Sequence, residues 1–65
     1  MELTETKKAL IHLLRMQGVS ENNIIAVILM FQEDEEIMEE LAIWIYDNKP
    51  TEEEIMQEVI AMSNI

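Results

Sequence analysis

Eight consecutive apolar residues, Ile24-Ile25-Ala26-Val27-Ile28-Leu29-Met30-Phe31, constrain this chain more than any other feature. A helix of a small bundle shows one apolar stripe and one polar side. An unbroken run puts apolar side chains all round two turns. Such an element is either enclosed by its neighbours or left in part as an exposed patch, and exposed apolar patches mark association sites. The chain has 65 residues, and domains of that size bury only roughly 60% of the surface their unfolded form exposes. Small domains commonly add a staple. With no Cys and a single His, disulfides, thiolate metal sites and imidazole clusters are excluded. Association between chains is the staple that remains.

The β-branched content of the run makes a strand its rival. A helix start signal at Ser20, helical neighbours and the lack of a second strand to pair with favour a helix. One Gly and one Pro likewise leave little material for the turns of a sheet. The reading is an all-α fold, a small four-helix bundle in a single domain over 1–65, completed by oligomerisation. Its helices span roughly 5–17, 21–32, 35–47 and 52–63.

Local signals set these bounds. Thr4 or Thr6 caps the first helix, and Gly18 supplies the left-handed residue that ends it. Leu10, Leu13, Leu14 and Gln17 share one face, with Ile11 beside it. Ser20 caps the second helix, and Val19 and Ile24 have the spacing of a hydrophobic staple. The third starts near Asp34, carries Ile37, Met38, Leu41, Ala42, Trp44 and Ile45 as its stripe, and ends at a left-handed Asn48 before Pro50. Thr51 and Glu54 form a capping box for the fourth, which buries Ile55, Met56, Val59, Ile60 and Met62. Residues 34–41 and 52–59 resemble each other at an offset of 18 residues. Two acidic amphipathic helices with similar starts account for that.

Charge is distributed unevenly. The formal net charge is -10, and all of it arises after residue 30. In the first half Glu2, Glu5 and Glu21 balance Lys7, Lys8 and Arg15, whereas Lys49 is the only cation beyond. Glu35, Glu36, Glu39 and Glu40 form an acidic face on the third helix. Ile43 sits among them, at about 240° from Ile37 when residues advance by ~100°. An apolar residue so placed is expected to touch another chain, with the carboxylates around it facing the cations of a first helix. The opening residues lack the basic flank and long apolar core of a signal peptide. The apolar run is too short to span a bilayer. The expectation from both features is a cytoplasmic protein.

Catalytic chemistry has little to work with. His12 is the lone imidazole, and a nucleophile needs a base beside it. The carboxylate pairs Glu36/Glu40, Glu35/Glu39 and Glu54/Glu58 lie on polar helix faces, whereas acid–base work needs one carboxylate desolvated in a pocket. No Glu-x-x-His motif exists for a di-iron bundle, and Glu33 to Glu36 lacks the alternation and central Gly of a calcium loop. The expectation is no enzyme, no cofactor and no metal.

Two resemblances exist at the first turn. Leu13-Leu14-Arg15-Met16-Gln17-Gly18-Val19-Ser20, followed by Ile24 and Val27, is similar to the turn of helix-turn-helix DNA readers. The helix that would enter the groove opens Ser20-Glu21-Asn22-Asn23 and has no Arg or Lys. Phosphate contacts dominate such affinity, so direct nucleic-acid binding is not expected. Met16-Gln17-Gly18-Val19, with Ala42-Ile43-Trp44-Ile45, also resembles ubiquitin-associated three-helix domains. There Gln17 interrupts the usual Met-Gly step and Val19 replaces an aromatic. Neither resemblance assigns the chain to a family.

Function follows from the surface. The apolar run and six Met, whose flexible thioethers suit adaptable contacts, point to a small acidic protein–protein interaction module. It would act as a homo-oligomer, a dimer first, in the manner of a regulatory adaptor. The expected interface residues are Ile24, Ile25, Ile28, Leu29, Phe31 and Ile43, with Ala26 and Met30 as the alternative face of the second helix for a two-fold contact. The competing architecture is a monomer that encloses its second helix. The competing function is an acidic inhibitor or nucleic-acid mimic, whose carboxylates would occupy a basic groove on a nucleic-acid-processing protein.

Overall fold

Four α-helices, α1 (Glu5–Met16), α2 (Glu21–Phe31), α3 (Glu35–Asn48) and α4 (Glu52–Ser63), make up the computed structural model, which describes residues 4–63. No strand occurs among the described residues, and the apolar run is helical throughout.

Each helix start has a local cause. The Thr4 hydroxyl accepts from the Lys7 backbone N–H at 3.2 Å, and Asp34 accepts from Ile37 N–H at 3.2 Å, so each satisfies an orphan donor of its first turn. The capping box is reciprocal: Thr51 N–H donates to Glu54 Oε1 at 2.9 Å, and Glu54 N–H donates to Thr51 Oγ1 at 3.2 Å. Ser20 departs from expectation. It stands at the N-cap of α2, but its side chain makes no capping bond. Its own backbone N–H instead donates to the Glu52 carboxylate from α4, at 2.9 Å.

The helix ends differ in kind. Gly18 takes φ 80°, letting Val19 N–H reach Leu14 O at 3.1 Å and Gly18 N–H reach Arg15 O at 3.0 Å. Both bonds of a Schellman turn are therefore present, and Val19 and Leu14 are both buried. At the end of α3 the left-handed residue is Lys49, φ 47°, not Asn48. Asn48 stays helical and its Nδ2 donates back to Trp44 O at 2.9 Å. The carbonyl a turn earlier thus gains a partner without Asn48 leaving the helix.

The most extensive contact between elements joins α1 to α3. α2 packs on α1, with smaller contacts to α3 and α4. Their inward faces meet in one core of Leu10, Leu14, Val19, Ile24, Val27, Ile28, Phe31, Met38, Leu41, Ile45, Ile55 and Val59. Ile60 was expected in this core and is exposed instead. It lies about 100° round α4 from Val59, beyond the edge where α4 meets α2. Lys7 is the opposite surprise: on the Leu10/Leu14 face of α1 it is only 7% exposed and has an interaction partner. Its stem lies in the bundle, as long basic side chains permit. No helix among the described residues is long and apolar enough to cross a membrane.

Candidate functional site

The core uses one arc of α2 and leaves the other. Ile24, Val27, Ile28 and Phe31 point inward and are buried. Ile25 remains 56% exposed, Leu29 49% and Met30 49%, with Ala26 half-buried between them. Of the expected interface residues, then, Ile24, Ile28 and Phe31 lie in the chain's own core, and Ile25 and Leu29 lie on its surface. Met30, from the alternative face, joins them. The amphipathic rule has no polar residue to mark the outer arc here, so only packing separates the two sets.

Beside the outer arc, α1 and α2 enclose an open apolar depression of about 210 Å³. Ile11, Ile24, Ile25, Ile28 and Leu29 line it, and Arg15 and Glu21 close one end. The Arg15 guanidinium donates through Nη2 to Glu21 Oε1 at 2.9 Å and through Nε to Oε2 at 3.1 Å. This two-pronged pair spans the turn between the helices and holds the Glu21 carboxyl below its ordinary range, chiefly through the hydrogen bonds Arg15 donates. The same contact raises Arg15. Such a forked pair orients as well as attracts. Further along α1, Lys8, Ile11, His12 and Arg15 border a second, more polar depression. Lys8 lies 3.8 Å from Glu5, so the exposed cations of α1 already have carboxylate neighbours.

On α3 the acidic face is directed outward. Glu35, Glu36, Glu39 and Glu40 are exposed, and none of their side-chain carboxylates takes part in an ion pair or hydrogen bond among the described residues. Ile43 is 55% exposed, near the middle of this outward arc and on another helix from Ile25 and Leu29. With Lys7 buried, the expected cationic counter-surface on α1 shrinks to Lys8 and Arg15.

The chain matches no family model, curated protein or solved structure. Its surface is therefore the ground for a functional reading.

One contact between helices has no signature in the sequence. Glu52, half-buried at the start of α4, accepts from Ser20 N–H at 2.9 Å and from Asn23 Nδ2 at 2.8 Å. These bonds, that from the Ser20 backbone first, hold its carboxyl below the usual range. The carboxylate also sits at the positive end of the α2 dipole. It straps α4 to the end of α2 that carries the Arg15–Glu21 pair. A partner 32 positions away leaves no local signature, and the short-range capping pattern does not extend that far.

Proposed function

We propose that this chain is a small acidic protein–protein interaction module that acts as a homo-oligomer in the cytoplasm and performs no catalysis itself. One observation carries the reading: α2 offers Ile25, Leu29 and Met30 to solvent beside an apolar groove. Single exposed apolar residues are ordinary, but neighbouring ones beside an apolar depression mark a surface that gains by being covered. The acidic faces of α3 and α4 serve the complementary purpose of keeping a chain with such a patch soluble. A regulatory adaptor is one class of protein that would use this combination.

Sedimentation equilibrium at micromolar concentration tests it. Wild type is expected at twice the 7.6 kDa chain mass. Ile25→Glu and Leu29→Glu are expected to run as monomers with unchanged helical circular dichroism, because both side chains lie outside the core. A wild-type chain that stays at its monomer mass would sink the proposal. Ile28→Glu is a poor substitute, since a charge in the core unfolds the monomer as well.

The exposed, unpaired carboxylates of α3 favour a second reading, an acidic inhibitor of a nucleic-acid-processing protein. Affinity isolation at low and high salt separates the two. An inhibitor's partners are basic and lost with salt, whereas an adaptor's are largely retained.

A further inference from the structure

We propose that two copies pair through α2 about a two-fold axis crossing the helix near Ala26, with the two α2 helices antiparallel. This rests on the homo-oligomer reading and adds to it the surface, the symmetry and the direction.

The surface is set by packing. At ~100° per residue, Asn22, Ile25, Ala26, Leu29 and Met30 share the arc opposite the core-facing residues. None of the five is charged. A two-fold interface sets one patch against its own copy, so any charge on it meets an equal charge, and this arc has none to meet. Ala26 in the middle lets the helices approach closely, within the 8–10 Å typical of packed helices.

Direction follows from the charges at the two ends. The start of α2 is flanked by Arg15 and Glu21, and its end runs into Gln32-Glu33-Asp34, both acidic residues exposed. Parallel helices would set Glu33 and Asp34 against Glu33 and Asp34. Antiparallel helices bring these carboxylates instead to the charge-balanced Arg15–Glu21 end of the other copy, so the two-fold avoids the like-charge contact at both ends. Antiparallel dipoles add in the same sense.

The other apolar residue with a claim, Ile43, is a weaker partner for this groove. It comes with Glu36, Glu39 and Glu40 around it, while Lys8 and Arg15 already have Glu5 and Glu21. A contact between α3 of one copy and the α1/α2 groove of the next is also head-to-tail and closes only if its rotation makes a ring. An ordinary interface takes ~800 Å² from each partner. On a chain with 4412 Å² of surface that requires α2 together with the adjoining shoulder of α1, the region the groove occupies.

A chain without cysteine suits a cross-linking test. Asn22 and Met30 are eight residues apart, about 12 Å along a helix, and a disulfide needs Cα atoms within ~7 Å. Antiparallel pairing near Ala26 brings residue 22 of one copy to residue 30 of the other and keeps like positions apart. Asn22→Cys and Met30→Cys are therefore prepared singly, mixed, oxidised and weighed by mass spectrometry, with circular dichroism confirming the fold and sedimentation the mass. The expected product is the mixed disulfide dimer, in several-fold excess over either self-linked species. Self-linking of Asn22→Cys as the main product would mean parallel helices and overturn the arrangement. A dimer by mass that yields no mixed product, or that links more readily through Ile43→Cys prepared alongside as a comparison, overturns it too while leaving the oligomer reading intact. A monomer by mass removes both.

Discussion

Gly18 and Lys49 both hold left-handed backbone, φ 80° and 47°, with opposite consequences. Gly18 suits the conformation, and a Cβ there would meet no atom within 4 Å. The effect of Gly18→Ala is thus conformational alone, a loss of ~1 kcal/mol for placing an L side chain in that region, readable by urea denaturation. At Lys49 that penalty is already present. It is offset by Nζ, which donates to Tyr46 O at 3.3 Å and lies 5.2 Å from the Tyr46 ring centre. Lys49→Gly relieves the strain, loses those exposed contacts and gains unfolded-chain entropy. The expected outcome is a stability within ~0.5 kcal/mol of wild type. A loss as large as that of Gly18→Ala would mean that the contacts, not the backbone, decide the turn.

Among the elements, α4 depends on a carboxylate as well as on Ile55 and Val59. Glu52 is held below its ordinary value near 4.5 by the bonds from Ser20 and Asn23. A depressed folded pKa contributes stability that is fully present above the unfolded value and lost as pH falls through the folded one. Glu52→Gln keeps a weaker acceptor and no charge. The variant should therefore be less stable than wild type at neutral pH, with a gap that closes as pH drops below ~4.5 toward the folded value. Thermal melts of both proteins across that range check this. The neighbouring Glu53, exposed and without a described partner, is the control: Glu53→Gln should leave stability at neutral pH within ~0.5 kcal/mol of wild type. A pH-independent gap would assign Glu52 a packing role and remove the electrostatic strap.

For the whole molecule the margin is small. At ~0.05–0.15 kcal/mol per residue, a chain of 65 residues has only a few kcal/mol to lose. Leu41, fully buried on α3, belongs to the helix with the most extensive contact to α1. Leu41→Ala is expected to cost ~2–5 kcal/mol, enough to leave much of the population unfolded by circular dichroism. If dimerisation contributes to stability, the melting temperature of wild type should rise with protein concentration, and that of Leu29→Glu should not. Concentration-independent melting in wild type would argue against the paired state at the whole-molecule scale.

Helix number, order and ends were legible in the sequence because short-range chemistry decides them. Thr4, Gly18, Asp34 and the Thr51/Glu54 box act within four or five residues of themselves, and the third helix marks its core side with carboxylates on the other. Where such markers are weak, local pattern misleads: it points to Asn48 where Lys49 holds the left-handed backbone, and to a buried Ile60 where that residue is exposed. Tertiary structure alone decided which arc of α2 faces inward. Ile24, Val27, Ile28 and Phe31 are no more apolar than Ile25, Leu29 and Met30, so the choice belongs to where α1, α3 and α4 sit. The burial of Lys7 and the bond from Ser20 to Glu52 have the same origin. Both arise only when helices pack against one another, and periodicity along one helix carries no information about the surface of another.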